Sequence, residues 1–253
     1  MRYREKQSWQ NIRNPWTKIQ EGCYVLNREK DAAGSQKYKF QTALPPQPFQ
    51  GNPAAPIWIL MLNPCYSPDD KEYYEKNAER RQAILGQLKF RKRAKHFHYV
   101  LDNAEDNFSR QWFENRFLKN KDMGLTADNV DKKIFILQAC GYASEKFNGD
   151  LKNMVKDFPH LEYAQKLARW GLRNGKTIVI ARSRKYWQEV LQPAIKKGNT
   201  SKIYFLCSYL NISFSFGNII SYKRFTEVRH NKKEYSKAKQ KSAQELKNII
   251  ENQ

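Results

Sequence analysis

Four short apolar runs stand out along an otherwise polar chain: Ile57–Leu62, Lys133–Gln138, Thr177–Ala181 and Ile203–Cys207. None alternates between apolar and polar positions, so each reads as a strand buried on both faces, the pattern of a parallel sheet. Helical patterns lie between and after them. Leu161–Arg173 is amphipathic and is closed by Gly175 after Asn174, the usual place for a C-terminal glycine. Lys185–Leu191 begins a further helix and Lys237–Ile250 another. Glu72–Lys95 has helical composition but few apolar positions, and reads as a surface helix or a mobile lid. Trp112, Phe113 and Phe117 share one helical face and are expected in the core. Strands separated by helices predict an α/β fold: a three-layer α/β/α arrangement on a central, mainly parallel sheet of four strands. Leu44–Pro53 carries four prolines and reads as an extended linker. Gly22–Leu26 and Tyr38–Phe40 are expected to pair as a hairpin. The chain reads as a single domain, 1–253, with an N-terminal extension over about 1–52 and a basic helical tail over about 222–253.

Charge narrows the partners. The 253 residues hold 46 Lys and Arg against 25 Asp and Glu, a formal excess of +21. Such an imbalance favours a polyanion, meaning DNA or RNA. No stretch approaches the roughly 20 apolar residues of a spanning helix, and the opening MRYREKQSWQ has no apolar signal region. A monomer in the cytoplasm, without a membrane partner, is the expectation. The cysteines Cys23, Cys65, Cys140 and Cys207 are widely spaced and include no CxxC pair, so free thiols are expected and neither a metal nor a cofactor is. The four histidines, His96 and His98 among them, form no HExxH pattern and are assigned surface or loop roles.

All four strands end in polar residues, as a site shared along one sheet edge requires. The first ends in Asn63-Pro64 and runs into the acidic loop of Asp69 and Asp70. The second ends at Gln138, and the last leads into Asn211-Ile212-Ser213. As an ordered set these resemble the uracil-DNA glycosylase-like superfamily. Asn63-Pro64 is similar to its first motif in the mismatch-specific branch, with Cys65 where glycine is usual. Gln138 falls where uracil-reading members carry Asn, and Asn211-Ile212-Ser213 is similar to Asn-Pro-Ser. The resemblance spans roughly 45–219.

It implies a DNA glycosylase that flips a pyrimidine, plain or modified, and hydrolyses its glycosidic bond without metal, in base excision or in defence against phage. In that reading Asn63 orients the water, and Asp69 or Asp70 supplies the carboxylate that an amide cannot. Gln138 reads the base edge, Tyr66 or Tyr142 stacks on the ring, and Asn211 bonds O2 as charge develops. Ser213 holds a phosphate, and Phe214 and Phe216 form a wedge in the duplex. Arg182, Arg184 and Lys185, entering a helix, bind phosphate or form a solvated basic loop. The same loop also admits a metal-dependent nuclease built on Asp69, Asp70, Glu72 and Glu75. A non-catalytic nucleic-acid binder on this fold is the third reading.

Overall fold

The structure is a computed structural model. It describes residues 8–91, 95–102, 108–198, 200–208, 213–228 and 231–252, with Asp69, Asp70, Phe108 and Lys232 described by their backbone alone. Its centre is one mixed sheet of six strands in the order β1-β3-β2-β4-β5-β6. The four inner strands are the apolar runs: β2 (Ile57–Met61), β3 (Ile134–Gln138), β4 (Thr177–Ile180) and β5 (Ile203–Leu206). They are parallel to one another, with Trp58 beside Phe135 and Ile178. Antiparallel strands close the two edges: β1 (Phe49–Gly51) on β3 and β6 (Ile219–Ser221) on β5. The parallel inner sheet thus agrees with expectation, and the sheet is wider by two strands. Both additions are three residues long, and β1 lies inside the proline-rich stretch read as a linker. Pro48 cannot donate to a ladder, but its carbonyl accepts from Gln138 N at 2.8 Å. An edge position makes that arrangement possible.

Alternate residues of each inner strand enter different cores. Trp58, Leu60, Phe135, Leu137, Ile178, Ile180 and Phe205 face one side, where α6 (His160–Arg173) and α7 (Arg184–Ile195) bring Leu161, Leu167, Trp187 and Leu191. Ile57, Ile59, Met61, Ile134, Ile136, Val179 and Tyr204 face the other. Ile84 of α3 (Ala78–Gln87) covers them there, together with Phe113 of α4 (Phe108–Phe113) and Phe117 of the π-helical turn Glu114–Leu118. Leu246 and Ile250 of α9 (Lys232–Glu251) complete that face. Both sides are apolar, which is why the sequence shows no alternation.

Neither terminal region stands apart from this core. Trp16, Ile19 and Phe40 are buried in the same cluster as Trp58, and Ser221 N donates to Ser242 Oγ of α9 at 2.9 Å. The expected N-terminal hairpin is absent among the described residues. The segment contains the short α1 (Lys30–Ala33) and an isolated bridge between Gln20 and Cys23. The helical stretch after the first strand is two helices, α2 (Pro68–Lys76) and α3. Asn77 separates them, its side chain accepting from Arg80 N, which is how asparagine starts a helix. The remaining helices are α5 (Val130–Lys133) and α8 (Tyr222–Val228).

Candidate functional site

From β2 the chain passes to β3 on one side and then, by way of α6, to β4 on the other. Beyond the carboxyl ends of strands so arranged, an open α/β sheet has its ligand crevice. A cavity of about 300 Å³ lies there, at the lower end of the roughly 300–1,000 Å³ typical of ligand pockets. Phe49, Met61, Tyr74, Trp112, Phe113 and Ile136 give it apolar walls. Gln47, Gln50, Asn63, Gln138, Ser144, Glu145 and Arg182 are among its polar groups.

Asn63 follows β2 directly and is held by its nitrogen. Nδ2 donates to Pro64 O at 2.9 Å, Ser144 Oγ at 2.9 Å and Tyr142 O at 3.3 Å. Two of those acceptors are backbone carbonyls, so the amide cannot be turned over. Its Oδ1 makes no bond among the described residues and is left as an acceptor for whatever enters the cavity. The loops after β2 and β3 are stitched together around it. Cys140 N donates to Leu62 O, Ser144 N donates to Pro64 O, and Cys65 bridges Ser144.

Three glutamines surround the cavity, and only one is satisfied. Gln47 Nε2 donates to Tyr74 Oη at 3.0 Å while its Oε1 accepts from Tyr99 at 2.5 Å. Gln138 Oε1 and Gln50 Nε2 are both buried and have no partner. Gln50 pairs with Ile136 across the antiparallel edge, and Gln138 lies two residues on, so the two side chains share one face as a diagonal pair. An orphaned buried polar atom costs about 1–3 kcal/mol. Two such amides on one face of neighbouring strands, both lining the cavity, mark this wall as a polar stretch whose hydrogen-bonding capacity is not used up within the protein.

Arg182 reaches the cavity from the end of β4, and its guanidinium has no hydrogen bond or ion pair among the described residues. Burial, with Arg116 nearby, lowers its pKa from the ordinary arginine value. Ser183 turns at a left-handed φ of 52°, and the two flanking arginines diverge there. Arg184 lies over the rings of Phe205 and Phe225 and donates to Leu206 O at 3.0 Å. That anchors the sheet end rather than presenting the side chain to a phosphate. Lys185 is exposed.

Of the residues singled out in the sequence, Asn63, Gln138 and Arg182 therefore meet at one cavity. Tyr142 does not line it. Tyr142 is 1% exposed, its hydroxyl donates to Glu29 Oε2 at 2.7 Å and accepts from Leu26 N, and its ring packs edge-on to Trp16 and His160. Burial, with Glu29 beside it, raises the phenol well above its usual range, so it remains a donor. Tyr66 is half-buried against the core and is not part of the cavity wall. Phe214 is wholly buried against Phe117 and cannot serve as a wedge, while Phe216 is partly buried beside it. Ser213 lines a second, neighbouring cleft. Asn211 and the side chains of Asp69 and Asp70 lie outside the described residues. Glu72 and Glu75, exposed on α2, pair with Lys76 at 2.5 Å and Lys71 at 3.7 Å. No three metal-ligating side chains come together among the described residues. No helix there is long and apolar enough to cross a membrane.

The sequence reading missed Gln50, Ser144, Glu145 and Trp112 as site residues. It also gave the histidines surface or loop roles; His98 lies in a loop but is buried, and His160 is buried at the start of α6. Gln50 is hidden by its prolines, and nothing local to Cys140–Ser144 signals that Ser144 meets Asn63. Compared with family models, curated proteins and solved structures, the chain has no match in any of the three.

Proposed function

We propose that the protein is a DNA glycosylase that takes an everted pyrimidine into this cavity and hydrolyses its N-glycosidic bond. The observation that carries the reading is the pair of amides in the cavity wall, Gln138 and Gln50, each with a polar atom that has no partner among the described residues. A pyrimidine edge offers a donor and an acceptor side by side, which complements one amide oxygen and one amide nitrogen. The parallel four-stranded core, covered by helices on both faces, is consistent with the three-layer glycosylase-like arrangement, and the surplus of +21 suits a polyanionic substrate.

In this mechanism Asn63 Oδ1 accepts a hydrogen bond from the attacking water and aims it at the anomeric carbon. The C–N bond breaks as the base leaves with the electron pair, and the water oxygen bonds to that carbon. One water proton is released and one proton ends on the base. The cationic sugar needs a nearby anion; Glu145 at the cavity rim is a described candidate, beside Asp69 or Asp70 in the adjoining helix. Nothing in the scheme needs a metal, so base release should persist in EDTA, whereas a nuclease using Glu72 and Glu75 should lose activity.

The test is mass spectrometry of bases released from a panel of natural and modified DNAs, followed by alkali cleavage at abasic sites. Release of one pyrimidine, abolished by Asn63→Ala with DNA affinity largely kept, is the expected result. Intact glycosidic bonds on every substrate would overturn the reading and leave a non-catalytic nucleic-acid binder.

A further inference from the structure

The second cleft, about 640 Å³, opens beside the first. Its lining includes Asn115, Arg116, Lys119, Asn120 and Ser213, with no carboxylate among the described residues. Among the described residues, Trp112 alone lines both hollows. The indole is half-buried, propped edge-on against Phe117 at 6.0 Å, so its position is fixed by the core while part of its surface stays open. Arg116 lines the cleft and Arg182 the cavity, and the nearby Arg116 adds to the burial that lowers the Arg182 pKa. Lys119, exposed at the far side, has no ion pair among the described residues. The residues after Trp112 form a π-helical turn, Glu114–Leu118, with Lys119 N donating to Glu114 O at 2.7 Å. Such turns are frequent at functional sites.

Cations lining the hollows on both sides of a partly open indole suit an anion that carries flat groups. A phosphodiester strand supplies that anion, and its bases supply flat faces for the indole. We propose that this cleft holds the nucleotide adjoining the one in the cavity, its base against Trp112 and its backbone phosphates at Arg182, Arg116 and Lys119. The strand then runs from the sheet edge across α4 and the π-helical turn. This rests on the reading that the cavity accepts a nucleotide, but not on the chemistry performed there.

The experiment is fluorescence anisotropy of a labelled single-stranded oligonucleotide, titrated over a range of salt concentrations. The probes are the wild type, Trp112→Ala, the double variant Arg116→Gln/Lys119→Gln, and the charge-keeping Arg116→Lys/Lys119→Arg. Each phosphate contact contributes about 0.7 to the slope of log affinity against log salt for a single strand. The double variant should therefore lower the slope by about 1.4 and the charge-keeping variant should restore it. Trp112→Ala should weaken binding roughly 5- to 150-fold, the value of one stacked base. Thermal melts of every variant separate these effects from misfolding. An unchanged slope in a folded double variant would overturn the proposal, as would the same residues governing binding to anionic vesicles but not to the oligonucleotide. Slope changes without base release would leave the strand path standing and sink the glycosylase. Base release with unchanged slopes would do the reverse.

Discussion

Removing the carboxylate of Glu29 should destabilise the protein and loosen the candidate site together. Glu29 is 1% exposed and accepts three hydrogen bonds: from Tyr142 Oη at 2.7 Å, His160 Nδ1 at 2.8 Å and His160 N at 3.0 Å. On the opposite side of that ring, His160 Nε2 accepts from Gly141 N at 3.3 Å. Nε2 therefore carries the lone pair and the imidazole is neutral, with its proton on Nδ1. Glu29→Ala leaves three buried donors unmet, each worth about 1–3 kcal/mol. It does not strand an opposite charge, and it removes the desolvation cost of the carboxylate itself. The net loss is thus held to about 3 kcal/mol, at the low end of the roughly 3–5 kcal/mol for breaking a buried ion pair. Unfolding entropy near 2.1 cal/mol/K per residue gives about 0.5 kcal/mol/K for this chain, so Tm should fall by about 6 °C. Glu29→Gln keeps one acceptor oxygen and should cost about a third as much. Because Tyr142 O is one of the acceptors that hold Asn63, base release should slow as well, with little change in DNA affinity. Scanning calorimetry of the two variants is the assay. A Tm drop below about 2 °C for Glu29→Ala would refute the reasoning.

Other consequences are open to direct measurement. Phe214→Ala should cost about 3–5 kcal/mol in urea unfolding, while oligonucleotide affinity of the folded fraction stays within about twofold; lost affinity at unchanged stability would restore the wedge. Gly51 sits at φ 98°, and a Cβ there would come within 2.6 Å of Ile134 O and 2.9 Å of the His98 ring. Gly51→Ala should therefore destabilise by more than about 1 kcal/mol and displace the neighbouring Gln50, which calorimetry and base-release rates can check together. Burial pushes His98 down to about 4. With the folded pKa below the unfolded value, the unfolded chain binds the extra proton, so stability falls as pH drops from about 6.5 to 4. His98→Phe should flatten urea midpoints across that window, and an undiminished slope would exclude His98 as its source.

The parallel centre of the sheet was legible because burial on both faces leaves an unbroken apolar run, and β2 to β5 were such runs. Its edges were not. β1 and β6 are three residues each, too short for a period to show, and β1 is flanked by Pro48 and Pro53. Proline argues against a central strand and says nothing against an edge whose donors are not needed. Tyr142 and Phe214 were misassigned for a related reason. An aromatic residue just past a strand end looks the same in sequence whether it lines a pocket or fills a core. Only long-range partners separate the two: Glu29, 113 residues away from Tyr142, and Phe117, packed against Phe214. His160 was hidden likewise, because its partner Glu29 lies 131 residues upstream.

The polar residues at the cavity show why residue type could nominate Asn63 and Gln138 and yet leave their roles open. An amide can give or accept, and its neighbours decide which. At Asn63 three acceptors take the nitrogen, so the oxygen is the end left to accept, and in the proposed mechanism the residue can hold a water but cannot donate to a base. At Gln47 two tyrosine hydroxyls engage both ends, and the side chain becomes part of the wall. At Gln138 the oxygen is left unmet, and the nitrogen that complements it comes from Gln50 on the neighbouring antiparallel strand. The proposed reading pair thus depends on β1 lying against β3 in this register. A shift of one residue would turn Gln50 to the opposite face of the sheet, away from Gln138. The polar edge of the site is consequently held in place by the short proline-flanked strand, and Gly51, which fits tightly against Ile134 and His98, locks that strand's register.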